Sequence, residues 1–274
     1  FKKVAVADNL YPFVDLVFSS PSSYNALTLM IASFFYTIQI YCDFSGYSDI
    51  AIGIARMMGI ELPKNFDYPY FSKNFSEFWQ RWHITLSSWF RDYVYIPLGG
   101  NRKGRFLTYR NLMVTMLLCG LWHGANWTFV LWGGLHGFFL ILQRWIRPII
   151  KSLEKSLPRF DSFFHITLIF IVFILTALAW ILFRSKDLET AQQIYFSIFT
   201  LDGLNPFAVP HKMIVVKASL MVFMLICIEI AVSLKGFSES VSKIPAFRLV
   251  AMPILICLIS LFGGFGMPFI YMGF

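Results

Sequence analysis

Along this chain, long apolar runs alternate with short polar or basic connections. Residues 1–23 form a short amphipathic stretch that ends in Ser19-Ser-Pro-Ser-Ser23, a cluster that breaks regular structure. From Ala26 to Ile60 the pattern is apolar except for Asp43-Phe-Ser-Gly-Tyr-Ser-Asp49, so the first long helix either continues through Ser45-Gly46 or bends there. Asn74, followed three residues on by Glu77, reads as a capping box opening a helix. Phe78, Trp82, Leu86, Trp89 and Tyr93 then share one helical face, predicting an amphipathic, interfacial helix rich in Trp, Tyr and Arg. Further spans are expected at Ser162–Phe183, Met213–Leu234 and Leu249–Phe262, with a short amphipathic segment from Leu188 to Ile198.

The run from Leu112 to Leu142 changes the picture most. Its 31 residues contain no Asp, Glu, Lys or Arg, yet His123 stands near the middle. A continuous helix of that length would reach about 46 Å at ~1.5 Å per residue, against a hydrocarbon core of ~30 Å. The run must therefore tilt steeply, extend beyond the hydrocarbon or break. Trp122-His-Gly-Ala-Asn126 is the expected break, since Gly is a poor helix former and Asn competes for backbone hydrogen bonds. Both flanks are basic: Arg102, Lys103, Arg105 and Arg110 before it, and Arg144, Arg147, Lys151, Lys155 and Arg159 after it. Two arrangements fit, a hairpin returning near His123 with both flanks on the cytoplasmic side, or one long tilted element. Broken helix at membrane depth is tolerated only against protein or a watery cavity, and an ionisable group there marks function. The pattern thus predicts an all-α, multi-pass transmembrane protein with interfacial amphipathic helices and a buried chamber.

Composition agrees. Of 274 residues, 57% are hydrophobic and only 14% charged, against about 25% charged in a soluble domain. The net charge of +8 lies in short connections between apolar runs, which argues for membrane flanks and against nucleic acid. Cys42, Cys119, Cys227 and Cys257 are isolated and form no CxxC pair, so neither a metal site nor a disulfide framework is expected. Asp43 and Asp49 between apolar stretches need partners, either in structural ion pairs or as polar lining of the chamber. On residue type alone, His83 reads as a packing residue sharing a helix side with Trp79 and Ser87. Glu229 is expected to pair locally or lie near a span end.

Four blocks, in this order, resemble the membrane-bound O-acyltransferase family: Asp43-Phe-Ser-Gly-Tyr-Ser-Asp-Ile-Ala-Ile-Gly53, Phe78-Trp-Gln-Arg-Trp-His83, Trp89-Phe-Arg-Asp-Tyr-Val-Tyr-Ile-Pro-Leu-Gly-Gly-Asn-Arg102 and Leu121-Trp-His-Gly-Ala-Asn-Trp127. Phe183-Arg184 and the ending Phe269-Ile-Tyr271 extend the likeness. It is nearest the bacterial branch that O-acetylates alginate, with peptidoglycan O-acetylating and teichoic-acid D-alanylating relatives. The resemblance implies that His123 is the histidine required for acyl transfer and that His83 is the second polar residue of the site. It also implies a multi-pass protein of the bacterial cytoplasmic membrane, an acetyl-CoA-like donor and a polysaccharide acceptor reached through a periplasmic SGNH-type partner. Family members carry several spans ahead of the position of Phe1. Residues 1–274 are therefore expected to be the C-terminal portion of a single acyltransferase domain. Asp43, Ser45, Trp122 and Asn126 become candidates for lining the chamber or orienting its groups. Arg102, Lys103 and Arg105 either attract donor phosphates or form an ordinary basic loop. His136 recurs in the family. Thirteen residues from His123 is ~220° around a straight helix, so it is expected to pack or hydrogen-bond elsewhere.

Overall fold

The computed structural model describes residues 1–156, 160–233 and 245–263. Arg159, Leu234 and the Phe269–Tyr271 ending lie outside the described residues. Among those described, every regular element is helical. Four helices are long and apolar enough to cross a membrane: Ala26–Met57, Trp127–Ser156, Ser162–Arg184 and Lys212–Ser233. The protein is a multi-pass membrane protein. The chain divides into two compact units, one of Phe1–Leu62 with the described residues from Gln193 onward, the other of Pro63–Gln192.

In the first unit a π-helical turn, Lys2–Ala7, leads into α1 (Asp8–Ser19), which packs against α2 (Ala26–Met57). Phe13 meets Phe35 at 5.7 Å between ring centroids, and Phe18 meets Tyr36 at 5.9 Å. Asn25 caps α2, its Oδ1 accepting the Thr28 amide at 2.9 Å. The helix runs through Ser45-Gly46 without interruption, which decides between continuing and bending. Its hydroxyls donate back to the preceding turn, Ser33 to the Leu29 carbonyl and Thr37 to that of Ser33, so they remain hydrogen-bonded in an apolar helix. The carboxylates have found ions: Asp43 pairs with Lys3 at 2.6 Å and Asp49 with Lys2 at 2.9 Å. A Cβ at Gly46 would stand 2.8 Å from the Lys3 amide nitrogen, so glycine lets the lysine-bearing segment approach. α9 (Lys212–Ser233) brings Glu229 against the Tyr41 hydroxyl, a partner far away in sequence rather than a local one. The last helix, α10 (Pro245–Phe262), has a shorter apolar part, Pro253–Phe262.

The second unit is built on a helical hairpin. α5 (Arg105–His123) and α6 (Trp127–Ser156) are separated only by Gly124-Ala-Asn126 and pack closely, so the hairpin, not the tilted rod, is the arrangement present. Gly120 and Gly133 face each other at the crossing. A Cβ on Gly120 would run into the Phe129 carbonyl, and one on Gly133 into that of Met116. Gly137 likewise meets Met113. Small residues thus let the two backbones touch, as apolar helices do when no hydrophobic gradient separates them from lipid. α7 (Asp161–Arg184) packs on α6; the short α3 (Phe75–Arg81) also packs on α6, and the turn before it, Pro69–Phe71, packs on α7. α8 (Leu188–Thr200) begins in this unit and continues into the first, with Ala191 and Ile194 buried and Phe196 and Phe199 exposed, as an amphipathic segment requires.

The single amphipathic helix expected across residues 75–93 is instead two helices, α3 and α4 (Ile84–Phe90). The capping box forms with one displacement. Asn74 Oδ1 accepts the Glu77 amide at 3.0 Å, but Glu77 reaches back to the Lys73 amide, at 2.8 Å. Helix α3 ends at Trp82 because the chain turns through His83 in the left-handed region, at φ +43°. Such a residue costs on the order of 1–3 kcal/mol and persists only where its surroundings dictate it. Here they do: the Trp82 ring packs on Phe66 at 5.1 Å, Phe78 at 5.6 Å and Trp180 at 5.0 Å. At about 0.5–1.5 kcal/mol per aromatic pair, these contacts match the cost. Phe78 and Trp82 are therefore buried in protein, and only Trp89 and Tyr93 of the predicted face remain exposed.

Candidate functional site: two histidines at broken helices

His123 is the last residue of α5, and each residue of the following turn has a physical task. A Cβ at Gly124 would come within 2.7 Å of the Phe129 ring, so only glycine lets that ring close over the hairpin tip. Asn126 opens α6: its Oδ1 accepts the Thr128 amide at 3.1 Å while its Nδ2 donates to the Lys186 carbonyl at 2.9 Å, tying the tip to the end of α7. The His123 ring, 7% exposed, is walled by Trp122 at 4.9 Å, Phe183 at 5.0 Å and Trp132 at 5.2 Å, all near edge-on. Trp122 itself is 56% exposed, so the wall is open to the surface on that side only through an indole.

His83 sits at the other break. Asn65, from the connection before α3, anchors it. The Asn65 carbonyl accepts the Ile84 amide at 2.9 Å, and its side-chain Oδ1 takes the Thr85 amide at 3.2 Å and the Thr85 hydroxyl at 3.1 Å. The same Oδ1 is 3.2 Å from His83 Nδ1. An oxygen already accepting the Thr85 amide fixes the orientation of the Asn65 group, and this contact favours the tautomer with the proton on Nδ1. Nε2 is left with its lone pair. Burial lowers the His83 pKa from 6.5 to about 4, which holds the imidazole neutral at physiological pH. His83 and His123 thus each stand at a helix break of the second unit.

Between them runs an aromatic core. Trp82 packs on Trp180, and Trp180 stacks on Trp132 at 5.4 Å. Trp132 in turn carries His123 on one edge and His136 on another, at 5.0 Å. The helical-wheel argument separating His123 from His136 fails, because the chain reverses between them. His136 is fully buried, stacked on Phe78 at 5.9 Å, which fits a packing role.

The second unit thus brings together His123, His83, Trp122 and Asn126. Asp43 and Ser45 lie on α2 in the first unit, where both are buried and Asp43 is paired with Lys3. Arg102 and Lys103 project from an exposed turn. That turn is pinned by Asn111, whose Nδ2 donates to the Leu98 and Gly100 carbonyls at 3.1 and 3.0 Å. Its glycines Gly99, Gly100 and Gly104 have φ of +108°, +54° and +88°, which explains the glycine content of this basic segment. Among the described residues no group of three or more His, Cys, Asp or Glu could hold a metal ion. Asn65 and Thr85 are the functional neighbours that periodicity could not show, since their role depends on a contact spanning 18 residues and a broken helix.

The fold and site define a multi-pass helical membrane protein that carries two histidines, His83 and His123, at helix breaks. The sequence profile of the membrane-bound O-acyltransferase family matches residues 3–185, and the chain belongs to that family. It is 46% identical over 211 residues to the probable alginate O-acetylase AlgI of Azotobacter vinelandii, covering 74% of this chain and 40% of that one. It is 42% identical over 205 residues to the peptidoglycan O-acetyltransferase of Helicobacter pylori, covering 75% and 38%. The teichoic acid D-alanyltransferase of Streptococcus thermophilus is 36% identical over 155 residues, 54% of this chain and 37% of that one. The chain spans about two fifths of the length of the curated relatives it matches.

Proposed function

We propose that this protein moves an acetyl group from a cytoplasmic acetyl-CoA-like thioester across the bacterial cytoplasmic membrane for O-acetylation of an extracytoplasmic polysaccharide such as alginate. The observation that carries the proposal is His123, an imidazole held at a helix break and walled by Trp122, Phe183 and Trp132. In the reaction, a hydroxyl oxygen attacks the thioester carbonyl carbon while His123 takes the hydroxyl proton. The C–S bond then breaks, and the imidazolium returns that proton to the leaving thiolate. General-base catalysis of this kind contributes about 10²–10⁴ in rate. For His83 two roles fit this chemistry, steadying the oxyanion or orienting His123. Its Nδ1 proton is directed at Asn65, so Nε2 is an acceptor, and the orienting role is the one supported. The acetyl group reaches the polymer directly or through a periplasmic SGNH-type partner. Arg102 and Lys103, on the exposed turn, attract the donor phosphates on the cytoplasmic side, whereas Arg105 lies in a separate cleft.

The test is His123→Ala in the intact protein within its own cell. Polymer is expected at normal yield with its acetyl esters lost. Normal ester content removes the catalytic assignment, and lost secretion favours a channel or export role. Relatives named for peptidoglycan and teichoic acid support a second reading, the same chemistry on another polymer. Capture of a D-alanyl carrier protein by the intact protein would favour D-alanylation, and use of acetyl-CoA the first reading.

A further inference from the structure

The hairpin brings its two basic flanks to one end, and there they enclose a cleft of about 700 Å³ within the second unit. Arg105 enters from the first turn of α5, and Arg144 and Arg147 from the far half of α6. No carboxylate lines it, and none of the three guanidinium groups has an ion pair or hydrogen bond among the described residues. The cleft is a formed surface, not a loose spray of side chains. Gln143 Nε2 donates to Ser76 Oγ at 2.6 Å and its Oε1 accepts the Ser76 amide at 3.1 Å, which fixes the floor between α3 and α6. Tyr109 and Trp145 meet at 6.4 Å along the wall. Gly104 gives α5 no side-chain cap, so the open end of that helix also faces the cleft.

An ordinary basic flank would scatter charge over a convex surface. Three rigid forks converging on one concavity, with amide and phenol groups between them, instead match the oxygens of a phosphate. Trp145, 65% exposed at the same site, adds the interfacial aromatic that accompanies lipid headgroups. We propose that this cleft binds a phosphate group, and that its occupant is the headgroup of an anionic phospholipid, docked between the ends of two membrane helices. A phosphorylated soluble ligand offers the same chemistry, and the two sources are separated below.

The intact protein, purified in detergent, is titrated with short-chain phosphatidylglycerol, with phosphatidylcholine and with adenosine 3′,5′-bisphosphate, reading binding and thermal unfolding. Two variants are compared: R144Q/R147Q, inside the cleft, and K151Q/K155Q, which removes the same charge from the same flank outside it. Phosphatidylglycerol is expected to bind and stabilise the unaltered protein over phosphatidylcholine. R144Q/R147Q is expected to weaken that binding about tenfold or more, and K151Q/K155Q to change it little. R144K/R147K restores charge without the planar fork and is expected to recover only part. Bisphosphate binding that depends on Arg144 and Arg147, without a phosphatidylglycerol preference, keeps the phosphate site and assigns it to a soluble ligand. Equal losses in the two Gln variants, or no preference for either phosphate probe, overturn the site and leave only a membrane-flanking charge.

Discussion

The two units bury polar groups in opposite ways. In the first, buried charge is answered by charge or by a phenol: Lys3 lies between Asp43 and Asp8, and Glu229 takes the Tyr41 hydroxyl. In the second, the ionisable groups are imidazoles walled by indoles and phenyls. A buried carboxylate is too costly without a counter-ion, and once matched it is fixed in one protonation state. An imidazole can be buried neutral and remains able to accept a proton when the reaction delivers one. The first unit sets buried charge against a partner and the second sets imidazoles among aromatic rings, and that distinction can be broken experimentally.

The largest effect is expected at the hairpin crossing. Gly120→Leu forces a side chain into the Phe129 carbonyl. Overpacking costs about 1–3 kcal/mol where neighbours can yield. Here the neighbour is backbone, so little folded protein should be recovered from membranes. Recovery of stable, active protein would mean that the two helices are not in contact.

Next comes Lys3→Met, which leaves Asp43 and Asp8 buried without their ammonium. Losing one partner of a buried pair costs on the order of 3–5 kcal/mol, and Lys3→Met with Asp43→Asn should recover part of it. Thermal unfolding of the detergent-solubilised protein reads both, and an additive double variant would show that Asp43 and Lys3 do not depend on each other.

Asn65→Ala keeps the backbone carbonyl that takes the Ile84 amide but removes Oδ1 from His83 and Thr85, so the protein should stay folded while acetyl transfer falls about tenfold or more. Unchanged activity would remove Asn65 from the positioning of His83.

The smallest effect is a titration. Burial holds His83 at about 4 in the folded protein, below its ordinary 6.5, so the native state binds fewer protons than the unfolded one between those values. Stability from this group therefore rises with pH through that window and is lost on acidification toward 4. NMR of ¹⁵N-histidine-labelled protein at pH 6 should show a neutral His83 ring with the proton on Nδ1. An imidazolium signal at that pH would contradict the assignment.

The sequence pattern carried some of this structure and not the rest, for identifiable reasons. The break after His123 was legible because Gly124 and Asn126 oppose helix through their own chemistry. The break at His83 was not, because Phe78, Trp82, Leu86, Trp89 and Tyr93 keep helical spacing across it. What interrupts the helix is an Asn65 amide arriving from another segment. The need for partners at Asp43 and Asp49 followed from their apolar surroundings, whereas Lys3 and Lys2 as those partners follow only from the fold. The close approach of two backbones at Gly120 and Gly133 follows only from the fold, since it needs both helices in place.

The central claim is that His123 removes the acceptor's proton. It is tested most directly by reconstituting the intact protein in vesicles and measuring acetyl transfer from the thioester donor by His123→Ala. The variant should be folded as judged by the same unfolding temperature. The account predicts a rate lower by about 10²–10⁴ with donor binding retained. Transfer at the rate of the unaltered protein would contradict it.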